Sequence, residues 1–211
     1  MARTRIKICG VRDVETALFA SQAGADAIGL MFVESSPRFI APEEAWDIVA
    51  CLPPFVTSVG VTMNLTLDQY AELEQRCPTG LSQLHGTEPE KTVSECGPGI
   101  IKAIRFEESR IVDDLRRWDA LDEVDAILVD GSAGGEGASF DWTKLIEPME
   151  SLTTPVIVAG GLSPDNVGEA IRVLRPYGVD VSSGVEREKG VKDVGLIEAF
   201  CDAVREADGS A

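Results

Sequence analysis

The feature that most constrains this chain is a repeating unit. A short apolar run, a turn and a segment of helical spacing recur eight times in 211 residues. That is about 26 residues per unit, the spacing of a parallel barrel in which each strand is followed by a helix. The strand-like runs are "TRIKIC", "DAIGLMF", "FVTSVGV", "LSQLH", "IIKAIRF", "DAILVD", "PVIVAG" and "GVDVSS". Many are apolar on both faces, as strands are when helices cover one side and packed side chains fill the other. Between them, "EEAWDIVACL" sets Ala45, Ile48, Val49 and Leu52 at i, i+3, i+4 and i+7 of a helix. "VETALFASQAG" sets Ala17, Leu18 and Ser21 near one face and stops at a glycine. In "SPDNVGEAIRVLRPYG" the spacing predicts an N-cap at Ser163 and Pro164 in the first helical position, with Gly178 beyond the helix end. The last helix is "VGLIEAFCDAVREA", with a frayed tail from about 206.

One α/β domain over residues 1–211, a single (β/α)8 barrel, follows from this pattern. An open doubly wound sheet would want a dinucleotide loop after the first strand, and "CGVRDV" is not G-x-G-x-x-G. No Pro/Gly/Ser-rich linker divides the chain, no run reaches membrane-span length, and no signal-peptide core follows the N-terminus. The five cysteines are scattered and never spaced C-x-x-C, which argues for reduced thiols in a cytoplasmic protein rather than a disulfide framework or zinc site. The net charge of −17 would repel phosphate backbones, so nucleic acid is excluded as a partner. Six lysines stand against 13 arginines, and this dense acidic surface suggests a halophilic protein.

In such a barrel the chemistry sits at the C-terminal strand ends and in the loops that follow. Cys9 ends the first strand, Arg38 follows the second, His85 ends the fourth and Asp130 ends the sixth. The thiol can serve as a base where its thiolate is stabilised, or simply as a small buried apolar group. The aspartate can serve as a general acid, or cap a loop. The arginine can grip a carboxylate in two-pronged fashion, or make a surface ion pair. His85, the sole histidine, cannot build a zinc site by itself. Gly160 and Gly161 after the seventh strand, and Ser183 and Gly184 after the eighth, form two small-residue turns where backbone N–H groups can cradle a phosphate.

The motifs "KICG", "SPRFI", "QLHG", "LVDG…GGEGASFDW", "VAGGLSPDNV" and "GVDVSSGVEREKGVKD", in order from Arg5 to about Ala203, resemble the phosphoribosylanthranilate isomerases of tryptophan biosynthesis. The resemblance implies a cofactor-free (β/α)8 barrel, acting by general acid/base catalysis on a small phosphorylated substrate. The reaction is the Amadori rearrangement of N-(5-phosphoribosyl)anthranilate to 1-(2-carboxyphenylamino)-1-deoxyribulose 5-phosphate. It implies Cys9 as general base and Asp130 as general acid. It also implies Arg38 at the anthranilate carboxylate, His85 and Asp180 in the site, and Gly160, Gly161, Ser183 and Gly184 at the phosphate. No metal, membrane or nucleic acid is implied, and the enzyme is expected as a monomer or homodimer. The chain departs from the family at Gly134-Gly135-Glu136-Gly137, where the third position is commonly threonine; Glu136 is expected to point outward with the acidic surface.

Rivals differ at single positions. The sugar-phosphate isomerase of histidine synthesis typically has an aspartate where Cys9 stands, and indole-glycerol-phosphate synthase a lysine. Metal-dependent pentose-phosphate epimerases need several histidines. A non-catalytic phosphate-binding barrel would not need both Cys9 and Asp130.

Overall fold

The computed structural model describes residues 3–131 and 141–209. Eight parallel strands close into a barrel in chain order. They are β1 (Arg5–Cys9), β2 (Ala27–Met31), β3 (Thr57–Thr62), β4 (Leu81–Leu84), β5 (Ile100–Arg105), β6 (Val124–Asp130), β7 (Val156–Ala159) and β8 (Gly178–Val181). The ring is sealed where β1 pairs with β8, Lys7 opposite Asp180. The helices are α1 (Val14–Ala23), α2 (Pro42–Cys51), α3 (Leu67–Arg76), α4 (Glu90–Cys96), α5 (Ile111–Asp119), α6 (Ile146–Glu150), α7 (Val167–Leu174) and α8 (Val194–Gly209). A two-stranded hairpin, β9 (Glu186–Glu188) with β10 (Val191–Lys192), follows β8.

Strand alternation sorts the side chains. Ile6, Ile8, Ile28, Leu30, Val179 and Val181 face outward and pack with α1, α2, α7 and α8. Ile100, Ile104, Ile127, Val129, Val156 and Val158 do the same for the opposite half, against α4 and α5. Within the ring, Val59, Ile101, Ala103, Ala126, Leu128, Ile157 and Ala159 form an apolar plug. The plug makes this a packed core rather than a pore. Helix α1 starts at Asp13, whose carboxylate accepts from Thr16 N, and stops at Gly24 in the left-handed region. Ala45 and Ile48 of α2 are buried, with Val49 and Leu52 packed beside them, as the spacing requires. No helix among the described residues is long and apolar enough to cross a membrane.

Two expectations about helix ends are corrected. Helix α7 begins at Val167, not at Pro164. Asn166 accounts for the delay: its Oδ1 accepts from Ser163 N (2.8 Å) and its Nδ2 donates to Gly161 O (2.8 Å), so residues 163–166 form a turn bound to the preceding glycines. The helix ends at Arg175 in the left-handed region, with Pro176 after it, while Gly178 already belongs to β8. The tail is not frayed from 206. Helix α8 runs to Gly209, Ala207 is buried, and the Asp208 carboxylate accepts from both Thr4 N (2.8 Å) and Thr4 Oγ1 (2.7 Å).

Candidate active site

Alternation along β1 puts Lys7 and Cys9 on the inner face, and along β8 it puts Asp180 there. Lys7 Nζ donates to Asp180 Oδ1 at 2.7 Å inside the ring. Burial favours the neutral amine, but the Asp180 carboxylate and its hydrogen bond, with a contribution from Cys9, outweigh it and raise the Lys7 pKa. The Cys9 side chain has room because Gly29 lies opposite. A Cβ on Gly29 would stand 2.8 Å from Cys9 Sγ.

Burial pushes the Cys9 thiol above its ordinary pKa. Lys7 and Lys192 pull it down, Asp180 pushes it up, and the net shift is upward. The thiol is therefore the favoured form at neutral pH in the free protein, and ionisation depends on the cations around it.

Arg38 is buried, and its guanidinium is already paired. Its Nε and Nη2 donate to the two Glu186 oxygens at 2.7 and 2.9 Å. Glu186 also accepts from Lys192 Nζ at 2.9 Å, and Lys192 Nζ in turn donates to Ser182 O at 2.9 Å. Ser182 Oγ donates to Cys9 O at 3.0 Å. Burial alone would raise the Glu186 pKa, but Arg38 and Lys192 hold it down at about 2. The hairpin after β8 thus fixes both the arginine and the cysteine strand end. Two of the five guanidinium N–H donors go to Glu186, leaving three for another acceptor.

The opposite wall is built by β4, β5 and β6. His85 follows β4 directly, with Nδ1 2.8 Å from Gln83 Nε2 and Nε2 3.4 Å from Asp130 Oδ2. Lys102 on the outer face of β5 braces this segment from behind. Its Nζ donates to Leu84 O, Gly86 O and Glu88 Oε2 at 2.8–2.9 Å. Burial lowers the Lys102 pKa against the pull of Glu88.

Cys9, Arg38, His85, Asp130, Gly160, Gly161, Asp180 and Ser183 line one cavity of about 1150 Å³ at the C-terminal end of the barrel. Gly184 is not on its wall. It sits where the loops after β7 and β8 meet, and a Cβ there would lie 1.9 Å from Leu162 O. Any side chain at Gly184 would force the two loops apart. Residues 134–137, Glu136 included, lie outside the described residues.

Sequence reasoning passed over Lys7, Gln83, Glu186 and Lys192. Lys7 and Gln83 stand two residues before Cys9 and His85, so period-two alternation alone would have put them on the same face. Glu186 and Lys192 lie in a quoted motif, but their pairing depends on a hairpin that no periodicity signals.

A family model described as N-(5'-phosphoribosyl)anthranilate (PRA) isomerase matches residues 6–203. The chain belongs to this family. A PRA isomerase of Pseudomonas aeruginosa (strain UCBPP-PA14) is 44% identical over 209 residues, covering 97% of each chain. The crystal structure of the Thermus thermophilus PRA isomerase superposes with a TM-score of 0.87 at 34% identity, over 96% of this chain and 99% of the other. A third PRA isomerase, solved in complex with reduced 1-(o-carboxyphenylamino)-1-deoxyribulose 5-phosphate, gives 0.84 at 37% identity over the same shares. The closed eight-stranded barrel is the PRA isomerase fold.

Proposed function

We propose that this chain catalyses the Amadori rearrangement of N-(5-phosphoribosyl)anthranilate to 1-(2-carboxyphenylamino)-1-deoxyribulose 5-phosphate in tryptophan biosynthesis, with Cys9 as general base and Asp130 as general acid. The observation that carries the assignment of roles is their placement. A thiol ringed by cations on β1 and a carboxyl on β6 share one cavity with Arg38 and two small-residue turns.

Asp130, protonated, gives its proton to the furanose ring oxygen as the C1–O bond breaks, leaving an open-chain iminium and the Asp130 carboxylate. Cys9, as thiolate, takes the proton from C2, and the C2–H electron pair neutralises the iminium to an enolamine. The enolamine gains a proton at C1 and loses one from the C2 hydroxyl, giving the ketone. Before the next turnover Asp130 must regain one proton and Cys9 must lose one. Lys7 and Lys192 favour the thiolate that the step needs. The three remaining Arg38 donors take the anthranilate carboxylate. Backbone N–H groups of Gly160, Gly161 and Ser183 take the phosphate, and Gly184 lets the loops that carry them pack together. Asp180 serves through Lys7, and His85 through Asp130.

Turnover by the wild-type chain, followed as loss of substrate fluorescence, is expected to fall at least about 10²-fold in Cys9→Ala and in Asp130→Asn. A folded but inert wild type would overturn the activity, and near-normal turnover in either variant would overturn that residue's role.

The same reading carries finer expectations. The enzyme works in the cytoplasm as a monomer or homodimer, without cofactor, nucleic acid or membrane. Its surface of net charge −17 suits it to high salt, because screening relieves self-repulsion. Activity rising from low to multimolar KCl would support the halophilic reading, and steady loss over that range would oppose it.

A further inference from the structure

Gln83 is 1% exposed and its amide is used on one side only. Its Nε2 lies 2.8 Å from His85 Nδ1, while Oε1 is buried with no hydrogen-bond partner among the described residues. A buried acceptor left unpaired is costly and asks for a reason. The neighbouring chemistry supplies one. An amide nitrogen only donates, so His85 Nδ1 must accept and the ring proton must sit on Nε2, which faces Asp130 Oδ2 at 3.4 Å. That arrangement serves an Asp130 carboxylate. It serves Asp130 as an acid only with the proton on Oδ1, because a proton on Oδ2 would set an O–H against the ring N–H.

Turning the Gln83 amide over resolves the conflict. Oε1 then accepts from Nδ1–H, the ring presents a bare Nε2, and the Asp130 O–H donates to it. The second state holds one proton more than the first. That proton, taken from solvent, is the one Asp130 later gives to the ring oxygen. In both states the bond between Gln83 and His85 is kept and Asp130 has a complementary partner.

We propose that Gln83 is a positioning residue that turns its amide over as Asp130 gains and loses its proton, and so sets the His85 tautomer that each form of the acid requires. This rests on the assignment of Asp130 as general acid. Charged groups lining the same cavity include Asp130 on β6, Arg105 on β5, Glu88 and Lys102 beside β4, Asp180 on β8, and Arg38 with Glu186 across the barrel. None but Asp130 is within ion-pair distance of the ring among the described residues.

His85 is the only histidine in the chain, so its two ring nitrogens can be read without ambiguity by ¹⁵N NMR of the intact protein. At about pH 8 the wild type is expected as the Nε2–H tautomer. Asp130→Asn, whose amide mimics the acid's donor, is expected as the Nδ1–H tautomer at the same pH. Gln83→Leu is expected to populate both tautomers. It should lower kcat by about tenfold with KM changed less than about twofold, the mark of lost help to a proton transfer rather than lost binding. Gln83→Met repeats the test should the branched side chain disturb folding. The same tautomer in wild type and Asp130→Asn would overturn the proposal, as would kcat within about twofold of wild type in Gln83→Met. Full turnover by Asp130→Asn would instead remove the acid assignment, while the tautomer readings would still report what Gln83 does.

Discussion

The two walls of the cavity solve different problems. The wall around Cys9 is dense with fixed charge: Lys7, Asp180, Lys192, Glu186 and Arg38 are tied by ion pairs of 2.7–2.9 Å with little or no exposure. The wall around Asp130 offers an imidazole and an amide, at 3.4 Å and one residue further out. A buried thiol resists ionisation, so a base made from it needs standing cations nearby. An acid that must exist in two protonation states needs partners that can donate or accept, which fixed charges cannot do. Under the proposed roles, fixed charge would make the base and switchable polarity would serve the acid.

The strongest way to break this contrast is Lys7→Met. It leaves Asp180 alone inside the barrel, and breaking such a buried pair costs about 3–5 kcal/mol of stability. It also removes a cation that favours the thiolate, so the limb of kcat/KM that rises with pH should move to higher pH. The double variant Lys7→Met/Asp180→Leu should recover most of the denaturation midpoint, since an apolar pair can replace a buried ion pair. It should not recover the pH profile. Recovery of both would mean that the field at Cys9 is unimportant.

A smaller effect is expected in the wild type itself. A general base works only deprotonated, and burial has raised the Cys9 pKa. The rate at limiting substrate should therefore still be climbing with pH where an ordinary thiol would be fully ionised. A plateau reached below the ordinary thiol range would show that Lys7 and Lys192 overcome burial.

The contrast also explains what could be read in the sequence. All eight strands were legible from apolar runs, because burial on both faces leaves a strong signal, and their ends fall within about two residues of the quoted runs. Cys9, Arg38, His85, Asp130 and Asp180 were singled out as strand-end or motif residues, and the structure brings all five to one cavity. Their partners were harder, because Glu186 meets Arg38 across 148 residues and Lys192 only within a hairpin. Ser163 looked like a cap because it precedes a proline. Asn166 displaced it by holding both sides of the turn, a competition between side chains that spacing does not decide.

Glu186→Gln sharpens the role given to Arg38. A neutral amide accepts less strongly and holds one oxygen instead of two, so the guanidinium loses its fixed plane. Hydrogen bonds to charged groups carry about 1.5–3 kcal/mol, and KM should rise by roughly tenfold with kcat little changed. A fall in KM would show that Glu186 competes with the substrate carboxylate instead of positioning its arginine.

The smallest expected effect tests the Cys9 wall by stability alone. The folded pKa of Glu186 is about 2, below its ordinary 4.5, so the folded state binds that proton more weakly than the unfolded chain does. Its contribution to stability is therefore fully present above about pH 4.5 and is lost as pH falls toward 2. In Glu186→Gln this slope should disappear, and the variant's denaturation midpoint should approach that of wild type as pH falls through that window. Equal slopes in wild type and Glu186→Gln would place the acid sensitivity elsewhere and remove the hairpin's carboxylate as the anchor of the cation cluster at Cys9.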